Sequence, residues 1–140
     1  MPRPKKCRRI GFIPKYREYG PRDRNHTSEE TILLQLDEIE AIRLKDIEKL
    51  DQSEGAKLMG VSRQTFQNII ESAREKIARS LLEGVEIRIE GGHVINKHCI
   101  AVCEDCGKSY NMEDGEWTGA CASCGSTHLY CSKKDRRCCL

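Results

Sequence analysis

The sequence predicts a mainly α fold built on a helix-turn-helix, followed by a short β hairpin and a small zinc-ribbon-like β module at the C-terminal end. Three observations carry that expectation. A short apolar-periodic segment, a Gly-Val-Ser turn and a longer amphipathic segment follow one another over residues 51–84. Residues 85–89 alternate apolar and charged side chains. Eight of the nine cysteines fall within residues 99–140, four of them in two Cys-x-x-Cys-Gly units. The expected organisation is a basic arm (1–27), a helical domain (28–84), a hairpin and linker (85–98) and a cysteine-rich module (99–140).

The opening segment, MPRPKKCRRIGFIPKYREYGPRDRNH, holds all four prolines, which prevent a continuous helix. Residues 1–24 carry a net charge of +7, residues 25–84 one of −4 and residues 85–140 one of −1, so the overall +2 hides a strongly basic end. Arg3, Lys5, Lys6, Arg8 and Arg9 lead this run, and aromatic residues are interleaved further on. Such an arm suits phosphate contacts on a polyanion.

Between residues 31 and 50, Asp37 followed by Glu40 reads as a capping-box-like helix start. Ile39, Ile42 and Ile47, with Ala41 and Leu44, supply the apolar side of a helix of about 12 residues. Asp51 with Glu54 repeats the start signal. Gly60 can stop that second helix in a left-handed conformation, and Ser62 can cap the next one. From Phe66, the residues Ile69, Ile70, Ala73, Ile77 and Leu81 fall on one side of a long helix, which Gly84 ends. Arg63, Gln64, Thr65, Gln67 and Asn68 lie on its first turns, where they can bond to base edges and phosphates. Glu71 and Glu75 would repel phosphate, which confines contact to the N-terminal half.

Val85, Ile87 and Ile89 alternate with Glu86, Arg88 and Glu90 as a strand does. Gly91-Gly92 then reads as a hairpin turn, with His93 at its surface.

Cys103-x-x-Cys106-Gly107 is followed by Cys121-x-x-Cys124-Gly125, with fourteen residues between Cys106 and Cys121. This spacing predicts a closed, structural tetrahedral site of four thiolates. The expected metal is Zn2+, with iron or an Fe–S cluster as the alternative for the same donors. Tyr110 and Trp117 are expected to pack beside it. Cys7, Cys99, Cys131, Cys138 and Cys139 are left over.

The longest apolar run, Cys99–Cys103, is five residues, against about 20 for a membrane span. No signal-peptide segment follows the basic start, so a cytoplasmic protein away from membranes is expected. No phosphate-cradling glycine loop, nucleophile elbow or HExxH pair is present, and the expectation is that the chain is not an enzyme.

The segment LDEIEAIRLKDIEKLDQSEGAKLMGVSRQTFQNIIESAREKIA, with the opening RPKKCRRI and the trailing LLEGVEIRIEGG, resembles the prokaryotic "domain of unknown function 134" family over about residues 2–95. The resemblance implies a DNA-binding helix-turn-helix similar to region four of sigma factors, with Arg63, Gln64, Thr65, Gln67 and Asn68 on its recognition helix. The cysteine-rich part lies outside the core of the resemblance.

Two functions follow as expectations. The first is a transcriptional regulator on double-stranded DNA, in which a homodimer would suit palindromic sites. The second is a metal- or redox-responsive protein whose helices bind a protein partner such as RNA polymerase.

Overall fold

A computed structural model describes residues 6–23, 25, 29–113 and 117–132. Eight short strands and three helices are described. β1 (Arg8–Ile10) pairs in parallel with β5 (Val94–Asn96). β4 (Glu86–Ile89) is the centre of a three-stranded sheet, antiparallel to β2 (Glu18–Tyr19) and parallel to β3 (Thr31–Leu34). β6 (Ile100–Cys103) is the centre of a third sheet, antiparallel to both β7 (Ser109–Asn111) and β8 (Leu129–Cys131).

The helices lie between β3 and β4, which gives the long crossover that a parallel strand pair needs. α1 (Leu36–Ile42) runs into a five-residue π-helical turn, Arg43–Ile47. α2 (Gln52–Met59) has Asp51 and Glu54 closing a reciprocal capping box, and ends at Gly60 with φ 71°. α3 (Arg63–Glu83) is capped by Ser62, whose side chain accepts the Thr65 N–H, and ends at Gly84 with φ 70°. No helix among the described residues is long and apolar enough to cross a membrane.

Burial follows from these patterns. Ile32 and Leu34 of β3 face inward with Ile87 and Ile89 of β4, and Ala73 of α3 covers them. Phe66, Ile69 and Ile70 pack with Met59, Ala56 and Leu44 in a second cluster that joins α2 and α3. Leu81, expected on the apolar side of α3, is 80% exposed and lines an open groove with Ile77, Ile87 and Phe12 instead of entering the core.

Several expectations need correction. The residue 85–98 hairpin does not form: Gly91 and Gly92 turn the chain, but β4 and β5 join different sheets. Ile87 and Ile89 need a buried face, and β3 with α3 supplies it. Residues 85–98 are therefore no linker, since β4 is the central strand of the body sheet.

The basic segment is likewise no free arm from Lys6 onward. Cys7 and Ile10 are buried, and β1 is paired along its length. Arg8 forms an ion pair with Asp37, which is 1% exposed. Asp37 is thus spent on Arg8 and on the Glu38 N–H rather than on capping, and Gln35 stands at the helix start with no side-chain bond. Glu40, also buried, accepts from the Gly11 N–H at 3.0 Å and from Arg43. Arg3 and Lys5 lie outside the described residues.

Candidate metal centre and nucleic-acid interface

Cys103 ends β6, and Cys106 follows on the turn into β7. Cys121 and Cys124 stand on a second turn before β8. Each turn closes the same way: Gly107 N–H donates to the Cys103 carbonyl and Gly125 N–H to the Cys121 carbonyl, both at 2.9 Å. Both glycines have φ 75°, where a side chain would be strained. The two Cys-x-x-Cys-Gly units thus build two matching knuckles that face each other.

The four sulfurs lie within 4.8 Å of one another. Cys103 and Cys124 are 3.6 Å apart, and Cys106 and Cys121 3.5 Å. Zn–S bonds of about 2.3 Å in a tetrahedron would put sulfurs about 3.8 Å apart, so the cluster could hold such an ion with little movement. Cys103 and Cys121 are buried, and Cys106 and Cys124 exposed.

Donors converge on the sulfurs. The Tyr110 hydroxyl lies 2.9 Å from Cys121 Sγ. This bond, with the N–H groups of Cys124 and Ser123, holds the Cys121 thiol down to about 6. The Cys106 and Asp105 N–H groups lower Cys103. Cys106 is raised: the Lys108 N–H pulls it down, but Cys121, burial and Cys103 outweigh that pull. Cys124 is pushed up to about 12, because desolvation and the neighbouring sulfurs outweigh the Ser126 N–H. Four thiolates cannot share this volume without a cation, and a divalent ion supplies what the N–H donors alone do not.

The module is seated on the helices by β1. The Cys7 N–H donates to the Gly119 carbonyl at 3.2 Å, and the Trp117 indole N–H donates to the Cys7 carbonyl at 2.7 Å. Arg9 donates to the Leu58 carbonyl on α2 and to the Met112 carbonyl beside β7, at 2.8 and 3.1 Å. Burial lowers the Arg9 pKa. Tyr110 does lie beside the sulfurs, whereas Trp117 points to Cys7 and Gly60. His93 is half-buried, with Nε2 3.2 Å from the Thr127 carbonyl.

The candidate base-contacting residues share the start of α3 but differ in their freedom. Arg63, Gln64 and Asn68 are exposed. Gln64 donates to Asn68 at 2.9 Å, one turn on. Thr65 is half-buried, and its hydroxyl accepts from Ser62. Gln67 is bonded to Gln52 of α2 and donates to Glu71 at 2.8 Å, which ties it to the helix pair. Lys6 is exposed, whereas Arg8 and Arg9 are taken up by internal bonds.

Sequence reasoning missed the seam itself. The roles of Arg9 and Trp117 depend on partners 49 to 110 residues away. The one local signal was an isolated tryptophan close to a metal-type cysteine pair.

A family model described as "Protein of unknown function DUF134" matches residues 1–97. The chain is 50% identical over 138 residues to a UPF0251 protein of Clostridium novyi (strain NT), covering 99% of this chain and 94% of the relative. It is 46% identical over 134 residues to a UPF0251 protein of Clostridium beijerinckii (96% and 90%). It is 45% identical over 134 residues to one of Clostridium botulinum (strain Loch Maree / Type A3), covering 96% and 85%. These alignments extend well into the cysteine-rich segment, so that segment is shared with relatives and is no private addition to this chain. No solved structure matches.

Proposed function

For a chain that belongs to the DUF134 family, whose model spans residues 1–97, we propose a DNA-binding function, with α2, the Gly60–Ser62 turn and α3 acting as a helix-turn-helix. The first turns of α3 enter the major groove. Arg63, Gln64 and Asn68 contact base edges and phosphates, while Thr65 and Gln67 fix the entry of α3 against Ser62 and Gln52. Lys6, with Arg3 and Lys5 before it, adds phosphate contacts. Arg8 and Arg9 are structural.

The observation that carries this reading is the exposed start of α3. It presents donors and acceptors behind a capped N-terminus, with no acidic residue in its first turn. A helix start of this kind attracts phosphate through its own N–H groups and dipole. The reading extends to a transcriptional regulator in the cytoplasm, acting as a homodimer on palindromic sites, with no catalytic role.

The four-cysteine module is a structural zinc site in this account. Four thiolates satisfy Zn2+ completely and leave no open position for a substrate. Iron is the competing occupant of the same donors.

A second reading has its own support. Cys7 and Cys99 are buried in the same apolar cluster as the module's sheet, beyond the four cysteines a single site needs. A metal- or redox-responsive protein that contacts a partner such as RNA polymerase would use them. Iron with visible charge-transfer bands in anaerobically purified protein would favour that reading.

The direct test is selection of binding sites from a randomised duplex pool with metal-loaded protein. The proposal predicts an enriched motif that Gln64→Ala or Asn68→Ala relaxes. No enrichment at low salt would contradict it.

A further inference from the structure

The cysteine module meets the helical body at the turn between α2 and α3, and Trp117 makes the central contact. Its indole N–H donates to the Cys7 carbonyl at 2.7 Å. Its ring and main chain lie directly against Gly60: a Cβ at Gly60 would stand 2.5 Å from Trp117 Cδ1 and 2.7 Å from the Trp117 carbonyl oxygen. Gly60 ends α2 and begins the turn that aims α3. Arg9 ties the same two parts together through the carbonyls of Leu58 and Met112.

Trp117 also stands four residues before Cys121, with no helix or strand between them. The loop is held at one end by the cysteine cluster. Near its middle, the Gly119 carbonyl accepts from the Cys7 N–H. At the other end it is held by the contacts to Cys7 and Gly60.

We propose that metal held by Cys103, Cys106, Cys121 and Cys124 fixes the α2–α3 turn through Trp117, so that metal occupancy regulates the proposed DNA-binding surface. The regulatory part rests on the DNA-binding reading, whereas the mechanical coupling stands on the contacts alone. Without a cation, nothing bridges the four sulfurs that lie within 4.8 Å of one another, and the cluster no longer anchors Cys121. The loop then loses one of its three supports, and Trp117 leaves Gly60. The C-terminal end of α2 is uncovered, and the first turn of α3 loses its fixed direction. Trp117 is thus a positioning residue that acts on α3 through Gly60.

Trp117 is the single tryptophan of the chain, so emission excited selectively over the four tyrosines reports the surroundings of this one side chain. The experiment uses the full chain, loaded with zinc and then stripped with a chelator. Three quantities are followed: Trp117 emission, amide exchange over residues 57–62, and affinity for duplex DNA. The expected result is a shift of emission to longer wavelength, faster exchange at the turn, and DNA binding weakened by about tenfold, a usual size for coupling between two sites. Zinc should reverse all three.

Trp117→Ala, with its metal content measured and unchanged, should show the fast exchange and weak binding even when loaded. Trp117→Phe, which keeps a ring against Gly60 but loses the N–H, should fall between. Unchanged emission and exchange on metal removal would overturn the proposal. So would a metal-loaded Trp117→Ala that exchanges at the turn and binds DNA as wild type does. If exchange responds to metal while no duplex is bound in either state, the coupling stands and the DNA-binding reading fails.

Discussion

Two polar clusters in this protein have similar side chains and opposite fates. Arg8 and Arg9 sit on β1, an extended segment that other elements cover from both sides. Arg8 neutralises the buried Asp37, and Arg9 bonds to carbonyls of two elements. Arg63, Gln64 and Asn68 sit on a capped helix end and are exposed among the described residues. In a basic extended segment the cations can be consumed by the fold, because strand pairing brings distant carboxylates and carbonyls within reach. At the start of α3 the Ser62 side chain takes up the Thr65 N–H locally, so the outward side chains remain available to a ligand. Charge counted along a sequence therefore overstates the surface available to a polyanion.

The largest expected effect sharpens this comparison by removing the scaffold behind β1. Stripping the metal, or Cys121→Ser, should melt the module, since structural zinc supplies about 10–16 kcal/mol of binding free energy toward folding. Thermal unfolding with and without chelator reads this directly. A melting curve that ignores the chelator would mean that the four cysteines hold no metal.

Next in size is Arg8→Ala, which should cost about 3–5 kcal/mol by leaving Asp37 buried without its partner. Urea denaturation measures that loss. A variant as stable as wild type, but weaker on all DNA sequences alike, would return Arg8 to the phosphate-contacting role first expected of it. The converse substitutions are Gln64→Ala and Asn68→Ala. They should leave stability nearly unchanged and reduce discrimination between sites by about 1–3 kcal/mol each, as read by competition binding.

The smallest effect concerns Glu38, a carboxylate buried at the end of the Lys76 side chain at 2.6 Å. Burial raises its pKa above the ordinary 4.5 despite the pull of Lys76, and one of its oxygens has no hydrogen-bond partner. The folded protein therefore holds this proton more tightly than the unfolded chain. Its contribution to stability is full below 4.5 and declines as pH rises through the folded value. Glu38→Gln should flatten the pH dependence of stability above 4.5. A steeper dependence in the variant would reverse the assignment.

The same contrast explains what could be read in advance. Asp51 with Glu54, Gly60, Ser62 and Gly84 act within a few residues of themselves, and each marks a helix end in the structure. The paired cysteines share that locality, because each Cys-x-x-Cys-Gly unit folds its own turn. β3 was hidden because Thr31–Leu34 is short and its partner β4 lies more than fifty residues away. The hairpin was misread because alternation at Val85–Ile89 identifies a strand without naming its partner. Asp37 imitated a cap because its true partner, Arg8, lies 29 residues earlier.

The central claim is that the start of α3 is a DNA-binding surface while the cations of β1 belong to the fold. The most direct test is the salt dependence of duplex binding by zinc-loaded wild type and by Arg63→Ala. The account predicts a steep linear fall of log affinity with log salt, and a slope shallower by about 0.9 in the variant, the value of one phosphate contact. Salt-insensitive binding, or identical slopes for both proteins, would contradict it.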